Sequence, residues 1–198
     1  MRPALGVRHR DRVWPWALGV RRWALGVGLW IVGLGIPVGA QGLSREDALR
    51  AVYRGADVRA EQLFLTPAQL KQVATRAGTD PPSALVARYL ATQDGAIIGR
   101  AYVDTHIVRT KRESLLISLD PQGRVIRVDV TAFLEPPEFQ APEPWLGQYR
   151  GRVLDDDLGI DRAIRPIAGG TLTARAANDA VRRALAIDEI LRSTGGGR

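Results

Sequence analysis

Cysteine is absent from all 198 residues. That excludes disulfides, thiolate metal sites, iron–sulfur ligation and a cysteine nucleophile. Histidine is almost absent: His9 and His106 are the only two, too few for a histidine-rich zinc site. A surplus of positive charge is also missing where a nucleic-acid binder would need it. The formal net charge is +7, but residues 1–40 hold six Arg against one Asp. Residues 41–198 hold 22 basic and 20 acidic side chains, a net of only +2. Nucleic-acid binding concentrates basic residues on the folded part, so no nucleic-acid partner is expected. The run Asp155-Asp156-Asp157 reads as a solvated turn, with a divalent cation as the alternative.

Charge is equally absent from Trp23 to Ala40, eighteen residues preceded by Arg21 and Arg22. Spanning a bilayer takes about 20 apolar residues. A signal peptide needs a basic start, a shorter apolar stretch and small residues at the cleavage site. Val38-Gly39-Ala40 suits such a site, so two readings stand: a cleaved signal peptide or a retained N-terminal membrane anchor. Either places the arginines inside and the remainder outside. The expected location is therefore the outer face of the cytoplasmic membrane or the periplasm.

Beyond the leader, Ser44-Arg45-Glu46-Asp47 is a variant capping box, and Ala48, Leu49, Val52 and Tyr53 continue a helical stripe. A second helix is expected from Thr66-Pro67 to Gly78, because proline suits a first helical turn. A third is expected after Pro81-Pro82, with Leu85, Val86, Tyr89 and Leu90 as its apolar face and Gly95 as its end. Extended segments follow. Ala96 to Val108 is rich in Ile, Val and Tyr. Leu115–Leu119 and Ile126–Val130 alternate around the turn Asp120-Pro121-Gln122-Gly123, which predicts an antiparallel hairpin. Residues 133–150 contain Pro136, Pro137, Pro142 and Pro144, which remove ladder donors, so a long ordered loop is expected. Phe139, Trp145 and Tyr149 in that loop suggest a binding lid.

The last long helix follows Gly169-Gly170-Thr171-Leu172-Thr173, with Val181, Ala184, Leu185, Asp188 and Leu191 at helical spacing. A glycine pair ahead of a helix lets backbone N–H groups approach an anion, and the helix dipole favours phosphate there. No acid stands between Thr171 and Asn178, where a helix usually gains from one, and Arg175 does. The plainer reading is a glycine loop followed by helix capping through Thr173.

Residues 96–187 resemble the FMN-binding domain of the membrane-associated electron-transfer subunits of sodium-pumping NADH:quinone reductase and Rnf complexes, and still more its small stand-alone versions. The similar stretches are Asp104-Thr105-His106, Asp120 to Val125, Glu135-Pro136-Pro137-Glu138-Phe139 and Gly169 to Ala176. The resemblance implies that a flavin transferase joins FMN, through its phosphate, to the Thr171 hydroxyl. It further implies that the chain serves as an electron carrier for redox partner proteins of the cell membrane rather than as a stand-alone enzyme. Gly169, Gly170, Leu172 and Thr173 would offer donors to the phosphate, with Arg175 beside it. Trp145 or Phe139 would flank the isoalloxazine or else pack in the core. Glu135 would contact the ribityl chain or remain solvated. His106 would hydrogen-bond the flavin ring or serve structure alone. No catalytic residue and no metal ligand is implied. The sequence departs from the family pattern at Arg165, Ala168 and Gly170, and Phe133 stands where a His often precedes the Glu. Covalent and non-covalent FMN both remain open, as do two functional alternatives: an exported binding domain without flavin, and a flavin-dependent reductase. The expected fold class is α+β, an antiparallel sheet packed with helices and preceded by an N-terminal signal or anchor helix. The expected divisions are a leader at 1–40, a helical segment at 41–95, the FMN-binding domain at 96–192 and a disordered tail at 193–198.

Overall fold

The computed structural model describes residues 43–195. The expected leader and the last three residues of the expected tail lie outside that range. Among the described residues no helix is long and apolar enough to cross a membrane.

Helix α1 (Arg45–Val52) begins as its sequence predicts: the Ser44 hydroxyl accepts the Asp47 N–H at 3.1 Å. Strand β1 (Asp57–Phe64) follows, then helix α2 (Pro67–Ala77). A full capping box joins Thr66 and Gln69 at the start of α2, and Gly78 closes it in the left-handed region at φ 73°.

The expected third helix is instead strand β2 (Leu85–Gln93). Leu85, Val86, Tyr89 and Leu90 do fit a helical stripe, but in an extended chain Leu85 and Tyr89 fall on one face and Val86 and Leu90 on the other, which suits a sheet with apolar side chains on both faces. The deciding feature is Asp94-Gly95, with φ 51° and 80°. Two positive φ values in a two-residue link make the tight hairpin turn that Asp-Gly favours. It turns β2 back into β3 (Ala96–Ile107). Residues 41–95 therefore supply two strands as well as two helices, and both strands join the same sheet as the later ones.

Strands β4 (Arg112–Leu119) and β5 (Val125–Phe133) complete five antiparallel strands in the order β1-β2-β3-β4-β5. The β4–β5 hairpin is the expected one. Asp120 Oδ1 accepts the N–H groups of Gln122 at 2.9 Å and Arg124 at 2.8 Å, and Gly123 takes φ 86°. The long segment after β5 holds a 3-10 turn at Pro137–Phe139, helix α3 (Glu143–Leu146) and a second 3-10 turn at Gly147–Tyr149. Helix α4 (Thr171–Ser193) then runs 23 residues. The fold is α+β: an antiparallel sheet packed with helices.

The sheet buries apolar side chains on both faces. Val86, Tyr102, Leu115, Ile117 and Val128 pack with α2 and α4 on one face. Ala91, Ala101 and Leu116 pack with Ala48, Leu49 and Tyr53 on the other. The tightest point is Gly99, where an added Cβ would meet the Leu119 carbonyl oxygen at 2.7 Å and the Tyr53 ring. Glycine at that position lets the Tyr53 hydroxyl reach the Arg100 and Leu119 carbonyls at 2.7 and 2.9 Å.

Candidate functional site: the N-terminus of the long helix

Gly169 stands in the left-handed region at φ 74°, and Gly170 is the N-cap of α4. A Cβ on Gly170 would meet Ile167 Cγ2 at 2.7 Å, so glycine also answers a close approach there. No side chain caps the helix. The first helical bond runs from Ala174 N–H to Gly170 O at 2.9 Å. The amides of Thr171, Leu172 and Thr173 lie ahead of it, where a helix leaves N–H groups without partners of its own.

The expectation that Thr173 caps the helix fails. Its buried hydroxyl donates to the Phe139 carbonyl at 2.7 Å and ties the proline-rich segment to α4. That leaves only its backbone N–H for an anion. Thr171, the first helical residue, is exposed, as are Leu172 and Arg175. No acid occupies the first turn.

The other expected site residues have their polar atoms already engaged elsewhere. Glu135 Oε1 accepts the amides of Thr110 at 2.7 Å and Lys111 at 2.8 Å and so closes the β3–β4 turn. Those donors hold its carboxyl below the ordinary glutamate range. The face of the Phe139 ring carries the Arg109 guanidinium at 4.0 Å. Trp145 is half-buried, edge-on to Tyr149 with centroids 5.7 Å apart, and its Nε1 donates to the Arg165 carbonyl at 2.6 Å. Tyr149 is not part of a lid. It is fully buried and reaches Asn178 Oδ1 at 3.3 Å.

His106 belongs to β3 itself, and both ring nitrogens are taken, by Asp104 at 2.9 Å and Glu113 at 3.0 Å. Asp104 in turn accepts two bonds of 2.8 Å from Arg183. Arg183 lies twelve residues into α4, about 18 Å along the helix from Thr171. His106 thus has no ring nitrogen left for a flavin and acts as a strut between sheet and helix. Sequence reasoning passed over Arg183, Glu113 and the second strut, Arg100–Asp188. The available signal was Asp188, the one charged member of an otherwise apolar stripe.

Burial disfavours the His106 imidazolium, but the hydrogen bonds to Asp104 and Glu113 outweigh it and lift the pKa to about 9. Arg183 and Asp179 face this group from α4. Burial raises the Asp179 carboxyl, while Arg183 and His106 hold Asp104 low against its own burial. A histidine with folded pKa above its unfolded value of about 6.5 stabilises fully below that value and loses the contribution as pH climbs through 9. Urea unfolding should therefore weaken by up to about 3 kcal/mol between pH 6.5 and 9.5. His106→Gln should flatten that limb. An identical alkaline slope in the variant would show that another group controls it.

Among the described residues no cluster of His, Cys, Asp or Glu is placed to hold a metal ion. The Asp155–Asp157 run is a turn, with Asp155 Oδ1 accepting the Leu158 N–H at 2.8 Å. A cleft of about 240 Å³ opens where β2 and β3 part, lined by Pro82, Leu85, Asp104, Thr105 and Ile187, and Thr171 stands outside it. Comparison of the chain with family models, curated proteins and solved structures finds no match.

Proposed function

We propose that this chain is an exported or membrane-anchored flavoprotein domain that carries FMN on the Thr171 hydroxyl and passes electrons to and from redox partners of the cell membrane. The observation that carries the reading is the state of the α4 N-terminus. It combines an exposed threonine hydroxyl, a left-handed Gly169, an uncapped first turn and no acid in that turn. Those features suit a phosphate dianion, since the free amides and the helix dipole both favour it.

Each residue has a defined task. Thr171 Oγ would form the phosphoester by displacing the nucleotide half of a flavin dinucleotide at its pyrophosphate bond on the transferase, the hydroxyl proton passing to a base there. The backbone of Thr171, Leu172 and Thr173 would present its N–H groups to the phosphate, whereas the Gly170 N–H donates to the Ile167 carbonyl at 3.1 Å and is not available. Arg175, one turn on, supplies a positive charge that the helix dipole alone would disfavour. Thr173 holds the Phe139 carbonyl and thereby fixes the segment beside the corner. The flavin supplies the redox chemistry when bound, and the protein positions it and tunes its potential. The uncharged run at residues 23–40 supports placement outside the cytoplasmic membrane, where the flavin transferase of the resembling family works.

The test is to express the full chain with a flavin transferase and examine it after denaturation. A fluorescent band on a denaturing gel, with a mass increase of one FMN less one water, is the expected result. Flavin released on denaturation would replace the covalent reading with a non-covalent one. A colourless protein would reject flavin binding and leave an exported binding domain.

A further inference from the structure

The two edges of the sheet differ. Along β5 the chain closes its own edge: the Val125 N–H donates to the Arg152 carbonyl at 2.9 Å, and the Gly151 N–H to the Val125 carbonyl at 2.7 Å. Strand β1, at the other edge, has no such cover among the described residues. The Leu65 N–H donates to the Ala84 carbonyl at 2.9 Å, which turns the odd-numbered residues of β1 toward β2. The N–H and C=O groups of Val58, Ala60, Gln62 and Phe64 therefore face outward. Proline, lysine and bulges ordinarily blunt such an edge. The run from Asp57 to Phe64 has neither proline nor lysine, and it pairs with β2 without a bulge.

The side chains of the same four residues stand on the α1 side of the sheet, because Leu63 and its partner Val86 pack with the opposite core. Phe64 is exposed by 77%. Toward the other end of β1, on the same side, a groove of about 290 Å³ runs along the flank of α1, lined by Leu49, Tyr53, Ala56, Val58 and Tyr89. One strand thus carries an exposed aromatic ring at one end and an apolar groove at the other.

We propose that two copies of this chain associate through β1, antiparallel about a two-fold axis at Ala60, and join their five-stranded sheets into one. The outward groups allow only registers that set even-numbered residues opposite even-numbered ones. Charge selects among these. An axis at Arg59 would oppose that arginine to its own copy, and an axis at Glu61 would oppose two carboxylates. Larger shifts shorten the overlap. An axis at Ala60 sets Arg59 of each copy opposite Glu61 of the other. Glu61 gives Oε2 to Arg88 Nε and Nη2, at 2.9 and 2.6 Å, and keeps Oε1 for the incoming arginine. The same register sets Phe64 of each copy opposite Ala56 of the other, beside the groove. The register that charge selects is therefore also the one that houses the ring. Pairing of this isologous kind closes both exposed edges at once and propagates no further. It rests on neither the flavin nor the anchor of the proposed function.

The absence of cysteine makes the test direct. In Ala60→Cys each thiol meets its own counterpart across the axis, at about 5.5 Å between Cα atoms, a separation that a disulfide spans. Gln62→Cys is equally exposed, but its counterpart lies about 14 Å away. The full chain in mild detergent, oxidised with copper phenanthroline, should give several-fold more disulfide dimer with Ala60→Cys than with Gln62→Cys. Two further changes, with the fold checked by circular dichroism, should each cut the Ala60→Cys dimer several-fold. Phe64→Asp removes the ring from an exposed position where folding has little at stake. Arg59→Glu sets like charge against Glu61 of the other copy. Equal yields at 60 and 62 would overturn the proposal, and so would a yield that ignores both changes. An Ala60→Cys thiol that neither cross-links nor reacts with a maleimide would show another segment of the chain lying on β1, and would overturn it too. No readout here uses flavin, so a colourless protein that still pairs through β1 would sink the functional proposal alone.

Discussion

Thr171→Ala should abolish the covalent flavin signal completely, whereas Thr171→Ser should retain it. The serine variant keeps an Oγ at the same position on the first turn of α4, and alanine removes the only atom able to form the phosphoester there. The Thr171 side chain is exposed and caps nothing. Substitutions of that kind usually change stability by within about 0.5 kcal/mol. A lost band therefore cannot come from an unfolded protein, and equal urea midpoints for both variants would establish that. Thr173→Val serves as the contrast. It cuts the 2.7 Å bond to the Phe139 carbonyl, so it should loosen the neighbouring segment yet leave Thr171 labelled. If Thr171→Ala kept a full-strength band while Thr173→Val lost it, the attachment point would be Thr173.

How far the sequence foretold this arrangement depended on whether the signal was local. Ser44, Thr66-Pro67, Gly78 and the Asp120–Gly123 turn each carry their instruction within a few residues, and each behaves as read. The glycine pair ahead of α4 is equally local, and both glycines have a steric reason to be there. Leu85–Leu90 is ambiguous because its adjacent apolar pairs fit both a helical stripe and a strand buried on its two faces. The Asp94-Gly95 hairpin decides between them, yet a glycine at that place suits a helix end equally well. Strand β1 is an edge strand with most of its residues exposed, which leaves little alternation in its sequence. The struts were the least legible. Arg183 reaches Asp104 across 79 positions and Asp188 reaches Arg100 across 88, so only the fold reveals which charges meet. The same holds for the engaged atoms of Glu135, Trp145 and His106. Each residue type suited a cofactor contact; Glu135 and Trp145 prove occupied by partners 25 and 20 positions away, and His106 by Asp104 beside it on β3 and Glu113 across the β3–β4 pair.

Removing Asp188 should be the most destabilising single change to a charge in the fold. Its carboxylate is 1% exposed and serves three groups at once. Oδ1 accepts Arg100 Nε at 2.6 Å and the Tyr102 hydroxyl at 3.0 Å, and Oδ2 accepts Arg192 Nε at 2.7 Å. Arg192 is partly exposed and can turn to water, but Arg100 is buried. With Asp188→Ala, the Arg100 guanidinium would keep only the Pro121 carbonyl at 2.8 Å. An unpaired charge left in a core costs about 3–5 kcal/mol, a large share of the 5–15 kcal/mol that typically holds a domain together. The carboxylate's absence, rather than lost volume, is the proposed cause, and a cycle separates the two. Replacing the pair with Asp188→Leu and Arg100→Leu removes both charges and fills most of the space, and such exchanges are often neutral. The double variant should therefore be markedly more stable than Asp188→Ala alone, by about 2 kcal/mol or more in urea unfolding. If Asp188→Ala cost under about 1 kcal/mol, or the double variant were the weaker of the two, the strut would not be what clamps α4 to the sheet. The helix N-terminus that presents Thr171 would then owe its position to apolar packing alone.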